Sequence, residues 1–169
     1  MRERQALFGS AIFFLVAPGV VAGLMPWLVA GWRMEPGRLP LKLLGILLIA
    51  IGAAFLLHSF GRFVWEGRGT PAPVAPTEHL VVGGVYRYVR NPMYLAVLTI
   101  IVGQWLLIGQ VSVLVYGAVI AAAVVTFVKI YEEPTLAEQH GAAYEAYRRA
   151  VPGWIPHLTP WDGTKSQAE

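Results

Sequence analysis

The sequence predicts an all-α, polytopic membrane protein with about four transmembrane helices, the last two forming a hairpin, and a polar C-terminal helix after them. Three observations carry this expectation. Hydrophobic residues make up 56% of the 169 and charged ones only 14%, outside the usual balance of a soluble domain. No charge interrupts Gln5 to Trp32, and none interrupts Asn91 to Val128. Each run is long enough for at least one crossing at 1.5 Å rise per residue through a core of roughly 30 Å.

Taken in order, helix one occupies Gln5–Trp32, with Pro18-Gly19 and Pro26 inside it. Proline removes a backbone donor, so a kink or break toward its end is expected. A cleavable signal peptide is disfavoured, because the apolar stretch exceeds a normal signal core. Glu35-Pro36-Gly37-Arg38 and Pro40 mark a turn over Arg33–Lys42, and helix two follows from about Leu41 to Phe60. The polar stretch Gly61–Arg90, with Thr70-Pro71-Ala72-Pro73 and Pro76 at its centre, is too proline-rich to span. The 38 residues from Asn91 to Val128 would measure ~57 Å as one helix, so they must fold back, and Gly109-Gln110 is the polar break. Thr135–Ala150 is helix-compatible and Val151-Pro152 stops it. The chain thus divides into two N-terminal spans, residues 1–60, and a polar loop, hairpin and C-terminal segment, residues 61–169, with the hairpin at 91–130.

There is no cysteine, which removes disulfides, thiolate metal sites and cysteine nucleophiles. The histidines, His58, His79, His140 and His157, show no pair at ligand spacing, so no metal site is expected. Net charge is +3 with a pI near 9.4, but the thirteen Lys and Arg are scattered among the apolar runs, so no nucleic-acid partner is expected. Ten of them fall before helix one, in the long loop or after the hairpin, and three in the first loop. The positive-inside bias then places both termini and the long loop in the cytoplasm.

Polar residues concentrate in Glu78–Tyr94 and Lys129–Arg149, at the two ends of the hairpin. Antiparallel helices bring those ends together, setting Arg90, Asn91 and Tyr94 near Glu132 and Glu133. Simpler roles exist for these residues. A Glu pair suits a helix N-terminus, and an Arg before Asn-Pro suits an interfacial anchor. Trp27, Trp32, Trp65, Trp105 and Trp154 read as belt residues.

The run Gly84-Val85-Tyr86-Arg87-Tyr88-Val89-Arg90-Asn91-Pro92-Met93-Tyr94 resembles the G-x-Y-x-x-x-R-H-P-x-Y signature of the isoprenylcysteine carboxyl methyltransferase and phospholipid methyltransferase superfamily. Glu132-Glu133, Leu136, Gly141, Tyr144, Tyr147 and Val151-Pro152 resemble the ending that pairs with it. Two blocks separated by a hairpin are more specific than either alone. The resemblance implies an integral membrane enzyme that uses S-adenosylmethionine without a Rossmann fold, and the chain has no G-x-G-x-x-G. It implies Arg90 and Glu133 as the central pair, holding the cofactor's carboxylate and ammonium. Tyr86, Asn91, Pro92, Tyr94, Glu132, Tyr144 and Tyr147 complete the implied cofactor site. Asn91 stands where the pattern often has histidine, and an amide cannot shuttle protons near neutrality. The implied acceptor is lipophilic or amphipathic, reached from the membrane lipid. Carboxyl O-methylation of a prenylcysteine-like compound leads, and amine N-methylation of a phospholipid is the alternative. A non-enzymatic membrane protein, structural or transporting, is the reading from another class.

Overall fold

The computed structural model describes residues 17–67 and 79–163. The first part of helix one, the proline-rich patch, Glu78 and the tail from Thr164 lie outside the described residues. Every regular element among those described is helical: a π turn (Gly19–Leu24) leading into α1 (Met25–Val29), α2 (Leu39–Gly67), a 3-10 turn (Gly84–Arg87), α3 (Pro92–Ile108), α4 (Val111–Phe127), a second π turn (Val128–Glu132) and α5 (Glu133–Ala150).

Helix one ends at Val29 rather than Trp32, because Gly31 and Trp32 adopt positive φ of 60° and 57°. Pro26 does not break it. Its missing N–H leaves one carbonyl a turn back without a donor, and the hairpin supplies side-chain donors there. The Gln104 amide donates to Ala22 O, and the Tyr116 hydroxyl to Val21 O at 2.7 Å. These two bonds tie helix one, just before the proline, to α3 and α4.

The second helix continues past the expected end at Phe60 to Gly67. Arg62 and Glu66 form an i,i+4 ion pair over the extra turns, and Glu66 Oε2 accepts the Gly83 N–H at 3.0 Å. α2 packs antiparallel on α3 through glycines. A Cβ at Gly45 would lie 2.6 Å from Gly103 O, and one at Gly52 would lie 2.7 Å from Ile100 Cγ1. In a bilayer, where apolar surface alone gives helices little reason to associate, such close backbone approach supplies the packing. Ser59, seven residues beyond Gly52, is fully buried with its hydroxyl donated to Phe55 O at 2.7 Å.

The hairpin turns where the sequence places it. Gly109 adopts φ 84° and its N–H closes on Trp105 O at 2.8 Å, a conformation that favours glycine. Glu35 N donates to Ile108 O at 2.8 Å, while Gln110 Nε2 reaches Ala30 O at 3.1 Å and Arg33 O at 2.9 Å. The first loop and the hairpin tip therefore share one end of the bundle.

Two described helices are long and apolar enough to cross a membrane, Leu39–Arg62 and Val111–Ala150, and Gly19–Val29 and Pro92–Ile108 are shorter apolar helices. Leu43, Leu47 and Leu57 on α2, and Val115 and Val119 on α4, are exposed, a surface suited to lipid tails. The C-terminal helix differs from expectation. It is not a separate element beginning at Thr135, because α4 passes through the second π turn directly into α5, giving one helix of 40 residues whose charged half begins at Lys129. Gly141, at φ 52° and ψ −127°, kinks it, and extended Val151 ends it.

Candidate active site

Arg90 is the centre of the polar end. It precedes Pro92, whose ring suits the first turn of a helix. Its Nη1 donates to Glu133 Oε1 at 2.8 Å and to the Tyr144 hydroxyl at 3.1 Å, and its Nε to Val151 O at 3.0 Å. The Arg90 and Glu133 side chains are only 14% and 21% exposed, so this is a desolvated, hydrogen-bonded pair rather than a surface one.

The second π turn lets two adjacent acids serve one site. Glu133 faces Arg90, while Glu132 Oε2 accepts the Tyr94 hydroxyl at 2.8 Å. A π turn is wider than an α turn and recurs where a helix must re-aim side chains. Across the site the Tyr147 hydroxyl donates to Tyr86 O at 2.7 Å. Burial pushes the Tyr86 hydroxyl well above the usual tyrosine range, with Tyr147 and Glu132 adding to the rise.

The loop bearing Arg90 is clamped to the segment after α5. Arg90 N donates to Pro152 O at 2.9 Å, His157 N to Tyr88 O at 2.9 Å and Trp161 N to Arg87 O at 3.0 Å. Arg87 also binds Trp161 O through Nε at 2.8 Å and pairs with Asp162. At the clamp, a Cβ on Gly153 would stand 3.2 Å from Arg90 Nη2. Gly84, at φ 57°, lies against Arg62 and His58, which accounts for glycine at that motif position.

Two cavities meet here. An apolar one of about 220 Å³ lies inside the bundle among Val21, Leu56, Val97, Ile120 and Val124, with Pro92 and Tyr94 at its polar end. A polar one of about 60 Å³ is lined by Glu133, Leu136, Tyr144 and Tyr147. Tyr86, Arg90, Asn91 and Glu132 line both. All nine residues of the implied cofactor site thus border one cavity or the other. The Asn91 amide nitrogen is buried without a hydrogen-bond partner among the described residues.

Sequence reasoning missed Glu66, which anchors Gly83, and Trp154, whose ring meets that of Tyr94 at 6.4 Å. No local signal marks either, since both act across the fold. Among the described residues, no three His, Asp or Glu side chains gather as a metal site.

A helical integral membrane protein with a polar, charge-paired chamber at one end of its bundle is the class that this fold and site define. The family model for phospholipid methyltransferases matches residues 41–143, from the start of α2 into α5. The chain belongs to that family and is a methyltransferase. The match reaches further toward the N-terminus than the two motif blocks and stops one residue before Tyr144. Neither the search of curated proteins nor that of solved structures returned a significant match.

Proposed function

We propose that this enzyme transfers a methyl group from S-adenosylmethionine to the amine of an amphipathic membrane lipid. The observation that carries this reading is the wall of Tyr86, Arg90, Asn91 and Glu132 shared by an apolar and a polar cavity. The apolar side takes the acceptor's tail and the polar side takes part of the cofactor. When bound, S-adenosylmethionine supplies a methyl already activated on a sulfonium, so the protein's task is chiefly to position.

The residues fit that cofactor. Arg90 suits its carboxylate, Glu133 its ammonium, and Tyr144 and Tyr147 its ribose or adenine. The polar cavity is far smaller than the roughly 300–1,000 Å³ of pockets that bury a drug-sized ligand. Binding therefore requires the Arg90–Glu133–Tyr144 contacts to open.

Glu132 favours the amine among the acceptors expected from the sequence. It stands on the shared wall, held by Tyr94, while Arg90 is committed to the cofactor's carboxylate. A carboxylate acceptor would bring like charge beside it, whereas an amine N–H finds an acceptor there. In this reading residues 1–60 supply lipid-facing spans and residues 61–169 the chemistry, with four crossings and a cytoplasmic site.

The test is transfer of labelled methyl from S-adenosylmethionine in nanodiscs that contain either an amine-headed phospholipid or a prenylcysteine carboxylate. Label on the amine, reduced in Glu132→Gln, is expected. Label only on the carboxylate would move the reading to O-methylation, and label on neither would overturn both.

A further inference from the structure

A cavity larger than either of those at Arg90 lies elsewhere among the described residues. A groove of about 690 Å³ runs along the outer side of the α2–α3 pair. Its walls are Ile51 and Phe55 of α2 and Leu95 and Thr99 of α3, and the small residues Gly52 and Ala96 form its notch. Ile51 and Phe55 are exposed on a helix long enough to cross the membrane, so the groove lies at bilayer depth and opens toward lipid tails.

Its other end is chemically different. Tyr88, Trp154 and His157 form the rim there. On the same segment Ile155 is 79% and Leu158 98% exposed. Apolar side chains this bare, next to groove residues, are at home in the leaflet interface, and they fix the rim at headgroup depth. Val85 lines the groove, and a Cβ on its neighbour Gly84 would stand 2.8 Å from Arg62 Nε and 2.9 Å from His58 Nε2. Arg62 is paired to Glu66 through Nη1. Hydrogen-bond donors therefore gather beside an apolar slot whose volume falls in the ligand-pocket range.

We propose that this groove holds one acyl chain of a membrane glycerophospholipid that is not the methyl acceptor, its phosphate at the rim of Tyr88 and His157 beside His58 and Arg62. Pro92 borders both the groove and the reaction chamber, and the Tyr94–Trp154 ring pair lies between the two polar ends. The bound lipid braces Trp154–His157, the continuation of the segment whose Gly153 lies against Arg90.

The test uses the full chain purified in detergent and supplied with a dioleoyl phospholipid carrying a diazirine in one acyl chain. Crosslinks mapped to Phe55, Leu95 or Thr99 are expected, and crosslinks only elsewhere would overturn the proposal. Native mass spectrometry reads affinity. Thr99→Trp, which fills the groove, should weaken retention of the phospholipid roughly tenfold or more. Equal retention by wild type and a folded Thr99→Trp variant would overturn the proposal. So would equal retention of dioleoylglycerol, which lacks the phosphate. Should Thr99→Trp fail to fold, the crosslinking map of the wild-type chain decides.

Discussion

Arg90 holds one sequence-distant stretch of the chain at three points: Glu133 and Tyr144 on α5, and the Val151 carbonyl just beyond it. Breaking the Glu133 contact should therefore be felt by a charged ligand more than by the fold. Glu133→Gln keeps the shape of the side chain and removes its charge. It is expected to weaken S-adenosylmethionine binding by ~1.5–3 kcal/mol, measured by calorimetry, with helical content unchanged. Arg90→Ala should weaken binding at least as much and also lower thermal stability, because it releases the post-α5 segment. Wild-type affinity in Glu133→Gln would reduce the pair to a structural anchor. The meeting of Arg90 with Glu133 was legible in the sequence, since a hairpin between two polar clusters leaves little choice. The carbonyl contacts that hold Arg90 in place were not, because any residue supplies a carbonyl and no side-chain pattern marks one.

Among the elements, α2 and α3 show how much depends on what is missing from a side chain. Gly45, Gly52 and Ser59 recur every seven residues, and Ala96 and Gly103 answer on α3 with the same spacing. The seven-residue step was present in the sequence, but nothing local says which helix it faces. Gly103→Ala should destabilise the protein by about 1–3 kcal/mol, since the new Cβ would lie 2.7 Å from Gly45 O. Gly23→Ala is the control, because a Cβ there meets nothing within 4 Å. Thermal unfolding in detergent should separate the two, and equal midpoints would mean that the glycines do not determine the packing. The extension of α2 to Gly67 escaped the sequence reading for a related reason. Arg62 and Glu66 count as polarity in a composition window, whereas at i,i+4 they support a helix.

For the whole molecule, the two ends of the bundle differ in charge, and that difference predicts which way it faces. The first loop and hairpin tip share one end of the bundle, and Arg90 and its partners occupy the other. The excess of Lys and Arg predicts that the Arg90 end is cytoplasmic. A chain without cysteine suits labelling. Thr70→Cys and Thr164→Cys should be protected from a membrane-impermeant maleimide in intact cells, and Ser112→Cys, exposed beside the hairpin turn, should react. Labelling of Thr70→Cys from outside would reverse the orientation.

The helix from Val111 to Ala150 passes out of its apolar half into the polar site without a loop. The angular phase of Glu132 and Glu133 about the helix axis is therefore geared to residues facing the bilayer many turns earlier. One residue added within α4 would turn both carboxylates by about 100° and advance them ~1.5 Å, whereas the same addition in a loop would be absorbed. Length in α4 is thus a setting of the active site, and the thickness of the surrounding leaflet, by tilting that helix, acts on the same dial.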